Sequence, residues 1–202
     1  MKRRTLLRRA GAASAFVALS DVLPAADAQT RRAPAREPLE TLTQDEFDTL
    51  EAIVARLIPT DANGPGAVEA GAARYIDRAL AGALASFRDT YRNGLADMNV
   101  LARAKKVVPF AQLSAADQDA VLTSVESAPF FALLLAHTVQ GTFGDPFYGG
   151  NRNFAGWDLI GYPGVRLAVT AEQQNLDAKT APTHMSAYDY TMFSSRKPAH
   201  GH

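Results

Sequence analysis

Apolar residues recur every three or four positions along most of the chain after residue 40, which is the period of an α-helix. No stretch alternates apolar and polar residues over the length of a strand, and no internal repeat is present. The pattern predicts an all-α fold of about five helices with long irregular loops and an extended C-terminal tail. The predicted helices cover residues 44–59, 67–84, 86–106, 115–126 and 129–143.

Local signals mark where three of these helices begin. Thr43 followed by Glu46 is a capping box, and Ser114 precedes a helix with Asp117 at its third position. Pro129 suits the first position of the fifth helix. The side chains expected to face inward from the first three helices are Phe47, Leu50, Ile53, Val54, Leu57, Ile58, Tyr75, Ile76, Leu80, Phe87, Tyr91, Leu95, Met98 and Leu101.

The fifth predicted helix has no polar face in its first half, where it carries Phe130, Phe131 and Leu134. A helix that is apolar all round is buried, either within its own domain or by a partner. Each buried side chain of this size is worth roughly 1.5–3 kcal/mol. We therefore expect these three residues to form part of a partner interface, with burial in the chain's own core as the alternative.

A glycine-rich loop, "GDPFYGGNRNFAGWDLIGYPG", follows this helix from Gly144 to Gly164 and holds the only tryptophan of the chain. Its glycines permit a tight, irregular backbone, and short polar side chains can fix its turns. Tryptophan and tyrosine are enriched in binding hot spots. A loop of this kind grips a ligand, contacts another protein or folds over its own domain. We expect a protein-contact surface built from Asp145, Tyr148, Asn151, Trp157 and Tyr162.

The N-terminus has the layout of an export signal: a basic start, a weakly apolar middle and a small-residue end at Ala26-Asp27-Ala28. Arg3-Arg4 followed by Thr5-Leu6-Leu7 is similar to the twin-arginine signal. Residues 1–28 are therefore predicted to be a signal peptide that directs the chain to the periplasm; a basic tail without this role is the alternative. Residues 29–39 are predicted to be a linker, 40–177 the helical domain and 178–202 the extended tail.

Composition and charge exclude several kinds of partner and site. The first 28 residues carry five basic and two acidic side chains, and the remainder carries 16 basic and 19 acidic ones. A mildly acidic body argues against a nucleic-acid partner. The chain has no cysteine, which excludes disulfides, thiolate zinc sites and cysteine-held iron–sulfur clusters.

No motif with a catalytic spacing stands out. Gly64-x-Gly66 lacks the third glycine and the preceding strand of a dinucleotide fingerprint, so it is interpreted as a turn between helices. His137 lies on the apolar helix and is interpreted as a satisfied core or interface residue rather than a metal ligand. We assign no catalytic, cofactor-binding or metal-binding residue to this chain.

Two segments together resemble a known family. "HTVQGTFGDPFYGGNRNFAGWDLIGYPG", from His137 to Gly164, resembles the signature of the gluconate 2-dehydrogenase subunit 3 family. "LEAIVARLIPTDANGPGAVEAGAARYIDRAL", from Leu50 to Leu80, is similar to the N-terminal half of that family, and the twin-arginine-like leader agrees with it. The likeness spans most of Leu42 to Asp177.

The resemblance implies a small, non-catalytic subunit of a periplasmic sugar or polyol dehydrogenase complex. In such a complex, a flavoprotein of the glucose–methanol–choline type holds FAD and oxidises the substrate, and a cytochrome c subunit can accept the electrons. The small subunit would help the flavoprotein to mature and leave the cytoplasm, and it would reach the membrane only through the complex. Two alternatives stay open: an independent sugar-oxidising enzyme that uses Asp145, Tyr148 and Asn151, or a free-standing sugar-binding module.

The leader generates a prediction about export. Changing both Arg3 and Arg4 to Lys is expected to leave the flavoprotein partner in the cytoplasm together with this chain, because one folded-cargo signal would serve both proteins. The measurement is the amount of flavoprotein in the periplasmic fraction. An unchanged periplasmic level would rule out an escort role for this chain.

Overall fold

The computed structural model describes residues 37–175, 177 and 180–194. Residues 1–36, with the predicted signal peptide and most of the predicted linker, lie outside the described residues, as do 195–202. Within the described ranges the fold is all-α and contains no β-strand. The helices are α1 (Gln44–Leu57), α2 (Ala72–Ala81), α3 (Arg88–Lys106), α4 (Ala115–Ser124), α5 (Pro129–Phe143), α6 (Ala155–Leu159) and α7 (Thr191–Ser194).

The five predicted helices correspond to α1 to α5, and the three helix starts marked by Thr43, Ser114 and Pro129 are confirmed. The Thr43 side chain accepts a hydrogen bond from the backbone of Glu46, whose carboxylate accepts one from the Thr43 N–H at 2.8 Å. Ser114 caps α4 by accepting from the Asp117 N–H, and Pro129 is the first residue of α5. These contacts satisfy backbone N–H groups that a helix leaves free at its start.

The start of the second helix differs from the prediction. Residues 67–71 form turns, and α2 begins only at Ala72. Gly71 adopts φ +74°, a left-handed conformation that ends the turns and that a glycine accepts without steric cost. The Ala67 N–H donates to the Ile58 carbonyl at 2.9 Å, which ties these turns to the end of α1.

The core lies where α1, α2 and α3 meet, with α4 and α5 closing it. Its members include most of the side chains predicted to face inward, although Leu101 is exposed and Ala102 takes the inward position on α3. Helix α2 packs chiefly against α5. The largest fully buried apolar side chains are Tyr91, Phe110, Leu50, Ile53, Ile76, Leu80, Leu95, Leu134 and Val54.

The first half of α5 is apolar all round, but the chain does not bury all of it. Leu134 is fully buried, and the Phe130 ring packs edge-on against Tyr91 with the ring centroids 5.6 Å apart. Phe131 is half-buried against the core. Leu135 and Val139 face outward and are exposed, so the described residues do not bury the whole helix.

A buried carboxylate fixes the segment that leads into α1. Both carboxylate oxygens of Asp77, on α2, accept hydrogen bonds from the backbone N–H groups of Glu40, Thr41 and Leu42 at 2.8–3.0 Å. Charge-assisted bonds of this kind are the stronger class of protein hydrogen bond. The start of the described chain is thus held against α2.

No helix among the described residues combines the length and the apolar character that crossing a bilayer requires.

His137 is buried between α3 and α5, as interpreted from the sequence. Its Nδ1 lies 2.9 Å from the Tyr91 hydroxyl in a hydrogen bond, and the two rings are stacked. Burial lowers the pKa of His137, because the charged imidazolium loses its hydration there, and burial raises the pKa of Tyr91. Both groups are therefore neutral in the folded chain near neutral pH.

This histidine generates a prediction about acid stability. Since the folded-state pKa of His137 is depressed, its contribution is complete above the unfolded value of about 6.5 and is lost as the pH falls below it. The free energy of unfolding, measured with urea between pH 7 and pH 5, should fall with decreasing pH. The His137→Gln variant should show a flatter dependence over this range. An identical slope in both proteins would show that His137 does not set it.

Candidate functional site

Asn151 makes hydrogen bonds that hold the glycine-rich loop together. Its side-chain amide donates to the Gly144 carbonyl at 2.9 Å and accepts from the Gly156 N–H at 2.8 Å. Its backbone N–H donates to the Gly141 carbonyl on α5 at 2.7 Å. One fully buried residue therefore joins the end of α5 to the start of α6, in the turn-fixing role that the sequence predicted.

Close backbone approach explains why glycine stands at position 156. A Cβ there would overlap the Thr142 carbonyl oxygen, which is main chain and cannot rotate away. Helix α6 thereby lies directly on the last turn of α5. The loop also contacts the turns before α2 and the start of the described chain, because the Arg152 N–H donates to the Ala70 carbonyl at 3.0 Å and its side chain pairs with Glu37 at 2.7 Å.

This approach brings Trp157 into the interior. Its indole N–H donates to the Phe143 carbonyl at 2.9 Å, and only 4% of the residue is exposed. Tyr162 packs edge-on against the indole with ring centroids 4.8 Å apart, and 40% of it remains exposed. The tryptophan that suggested a binding hot spot is therefore a part of the subunit's own packing.

The loop contains an unusual run of left-handed backbone. Asn151, Asn153 and Phe154 have φ values of 44°, 53° and 61°. Asparagine tolerates this region, whereas a bulky residue such as phenylalanine seldom adopts it. The Phe154 ring is stacked on the His184 ring, with the ring centroids 4.8 Å apart. His184 belongs to residues 180–194, here called the C-terminal segment, and this contact helps to hold the Phe154 conformation.

Asp145 connects the loop to the C-terminal segment. Its Oδ1 accepts from the Phe147 N–H at 2.9 Å, as expected for a turn. The same carboxylate accepts from the Ser186 hydroxyl at 2.6 Å and from the Ala187 N–H at 3.0 Å. An aspartate predicted to shape the loop and to face a partner thus anchors a segment about 40 residues later in the chain.

Aromatic contacts complete this anchor. The Tyr188 ring stacks on Phe147 with centroids 3.8 Å apart, and its hydroxyl lies 2.8 Å from that of Tyr148. This hydrogen bond, followed by burial, raises the pKa of Tyr148. The predicted tail, residues 178–202, therefore does not stand apart, since its described part packs on the glycine-rich loop. The aromatic residues of the tail follow no period in the sequence that could have revealed this contact.

A second set of contacts ties residues 163–165 to residues 183–190. The Thr183 N–H donates to the Pro163 carbonyl at 2.7 Å, and the Val165 N–H donates to the Met185 carbonyl at 2.9 Å. The Tyr190 hydroxyl donates to the Val165 carbonyl at 2.7 Å. The end of the loop and the C-terminal segment form one hydrogen-bonded unit.

The structure divides the predicted interface residues by accessibility. Leu134, Asn151 and Trp157 are covered by the chain itself, which corrects the expectation that their side chains face a partner. Asp145 is occupied by the C-terminal segment, and Phe130 and Phe131 pack partly on the core. Tyr148, 54% exposed, and Tyr162 keep accessible surface, and partner contact by them remains a prediction.

The polar groups of the loop serve structural roles, and no acidic and histidine side chains gather in a metal-like group of three among the described residues. His184 pairs with Asp158 through Nε2 at 2.7 Å, and both side chains are partly exposed at the surface. The sequence did not indicate which apolar side chains of the loop and the C-terminal segment stay exposed, among them Ile160 and Met192. Their exposure depends on how these two segments pack together, and the two segments are distant from each other in the sequence.

The Asn151 amide generates a stability prediction with a matched control. Asn151→Gly keeps the left-handed backbone but removes the bonds to Gly144 and Gly156, so it should lower the free energy of unfolding by about 2 kcal/mol. Asn153→Gly removes an exposed side chain at a similar φ and should be neutral or slightly stabilising. Urea denaturation of both variants measures the difference. Equal effects would show that the amide bonds do not hold the loop.

Comparison with protein families identifies the family of this chain. The family model described as gluconate 2-dehydrogenase subunit 3 matches residues 44–164, a range that runs from the start of α1 to the end of the glycine-rich loop. Searches among curated proteins and among solved structures return no match. Since the matched range is more than half of the 202 residues, the chain belongs to the gluconate 2-dehydrogenase subunit 3 family, a small subunit of dehydrogenase complexes.

Proposed function

We propose that this chain is the non-catalytic small subunit of a periplasmic FAD-dependent sugar or polyol dehydrogenase complex. In this proposal it supports the maturation, twin-arginine export and stability of the catalytic flavoprotein. The family supports a place in a dehydrogenase complex, and the leader supports the export route. FAD would belong to the partner of the glucose–methanol–choline type, and a cytochrome c subunit would accept the electrons.

The observation that carries the proposal is that seven of the thirteen large apolar side chains exposed among the described residues lie in two segments, residues 148–169 and residues 183–193. Solvent-exposed large apolar residues are costly when they cluster, and they mark interaction sites. The two segments that carry them are hydrogen-bonded to each other, as between Val165 and Met185. The exposed residues are Tyr148, Ile160, Tyr162, Leu167, Val169, Met192 and Phe193.

The outer face of α5 offers a second apolar area. Leu135 and Val139 lie four residues apart, so they share one side of the helix, and both are about two-fifths exposed. Ala132 and Ala136 are exposed on the same side. In the proposal, a partner protein would cover this stripe, which the chain's own core leaves open.

A sugar site formed by Asp145, Tyr148 and Asn151 is less well supported. Both Asp145 oxygens already accept hydrogen bonds from the C-terminal segment, and Asn151 has no exposed surface. The Tyr148 hydroxyl is engaged with Tyr188. A sugar would have to displace the segment and break these bonds, so the same groups are better explained as parts of the fold.

The exposed residues generate a prediction about assembly. The double variant Ile160→Ser, Met192→Ser should weaken association with the dehydrogenase partner by about tenfold or more, because it removes apolar contacts from the proposed interface. The matched control is Val100→Ser, Val107→Ser, whose two positions on and after α3 are similarly exposed. The measurement is the dissociation constant of the complex.

Both double variants should keep the unfolding temperature of the chain, since all four side chains are largely in water. The Michaelis constant of the assembled complex for its sugar should also stay unchanged, because the substrate would bind the flavoprotein. If both double variants have the same dissociation constant for the partner, the loop and the C-terminal segment do not form the interface. Sugar oxidation by the purified chain without any flavoprotein would contradict the non-catalytic assignment.

A further inference from the structure

We propose that Asn63 is a site of spontaneous covalent modification, at which the asparagine is converted through a cyclic imide to isoaspartate and aspartate. The chain contains two Asn-Gly dipeptides, Asn63-Gly64 and Asn93-Gly94. Glycine favours this reaction in the residue before it, because it has no side chain to obstruct the approach of its backbone nitrogen. The fold exposes the first dipeptide and protects the second. The inference does not depend on the function proposed above.

The reaction needs only the chain itself and water. The backbone nitrogen of Gly64 attacks the side-chain carbonyl carbon, Cγ, of Asn63. A bond forms between these two atoms, and the side-chain nitrogen leaves as ammonia, taking up the proton of the Gly64 N–H. Water then opens the five-membered imide. Cleavage of the bond to Cγ gives aspartate, whereas cleavage of the bond to the backbone carbonyl carbon gives isoaspartate.

Asn63 lies in a tight turn between the end of α1 and the turns before α2. Two backbone hydrogen bonds between Asp61 and Gly64, of 3.1 and 3.2 Å, close the turn as an isolated bridge. Asp61, Ala62 and Asn63 are exposed, and Gly64 is half-buried. Opening this turn breaks those two bonds without unfolding a helix, so it belongs to the local openings of low free-energy cost. Such an opening frees the Gly64 nitrogen for the attack.

The second dipeptide is held inside α3, where the Gly94 N–H bonds to the carbonyl four residues earlier. Gly94 is buried, and a Cβ at this position would overlap the Phe130 ring. The neighbouring Tyr91 and Leu95 are fully buried in the core. Freeing the Gly94 nitrogen would therefore require α3 to unwind where it packs against the core, which protects Asn93 in the folded chain.

Modification at Asn63 changes both the charge and the backbone of the turn. The Asn63 amide now donates to a carboxylate oxygen of Asp61 at 3.2 Å, and either product places a second carboxylate there. Isoaspartate also inserts a methylene group into the backbone. The turn lies against α6, since a Cβ at Gly64 would stand 3.3 Å from Cδ1 of Leu159. The product would thus alter a surface next to the glycine-rich loop.

The test is incubation of the folded full chain at mildly alkaline pH, followed by cleavage before aspartate and mass spectrometry. Residues 61–76 and 89–96 are released as separate peptides, each with one asparagine. Modified product should appear in the first peptide at least about tenfold faster than in the second, because the exposed turn opens more readily than the buried helix. The protease cuts before a newly formed aspartate but not before isoaspartate, so the two products are distinguished.

Two controls separate the effect of the fold from that of the local sequence. In concentrated urea, where the fold is lost, Asn63 and Asn93 should react at similar rates. Asn63→Ser, a change that a turn accommodates, should abolish the product in residues 61–76 and leave the rate at Asn93 unchanged. The proposal is overturned if the folded chain forms no product at Asn63 or if both sites react equally in the folded chain. It is also overturned if the difference in rate persists in urea.

Discussion

The hydrogen bonds of one buried amide organise the second half of this molecule. The Asn151 side chain links the Gly144 carbonyl to the Gly156 N–H, so the chain leaves α5 and returns onto it within twelve residues. That return places Trp157 under the loop, where its indole N–H reaches the Phe143 carbonyl. It also presents Asp145 and Phe147 on the outer side, where they receive the C-terminal segment. The amide bridge thus helps to position each of these contacts.

Aromatic and acidic side chains in a loop can either contact a partner or pack within their own chain. Aromatic and acidic side chains in a glycine-rich loop suggested an interface, but the chain uses Asp145, Trp157 and Phe147 for its own packing. The side chains left at the surface are more ordinary ones, such as Ile160 and Met192. A buried hydrogen-bonded tryptophan stabilises the subunit, whereas exposed aliphatic groups gain most from being covered by a partner.

The helices and their caps could be predicted from the sequence, whereas contacts between residues distant in the sequence could not. The period of apolar residues located α1 to α5, and the caps at Thr43 and Ser114 were correct because each involves residues only three positions apart. The start of α2 was placed too early, since propensity alone does not reveal the left-handed Gly71. The seat of the C-terminal segment could not be predicted, because it joins residues about 40 positions apart and no period in either segment encodes that pairing.

The family match ends at Gly164, and this boundary has a structural meaning. Helices α1 to α6, the Asn151 bridge and the buried Trp157 all lie within the matched range. Of the seven exposed apolar residues in the proposed interface, Leu167, Val169, Met192 and Phe193 lie beyond it. In that proposal, the matched part supplies the seat through Asp145 and Phe147. The segment that occupies this seat would then help to determine which partner this chain accepts.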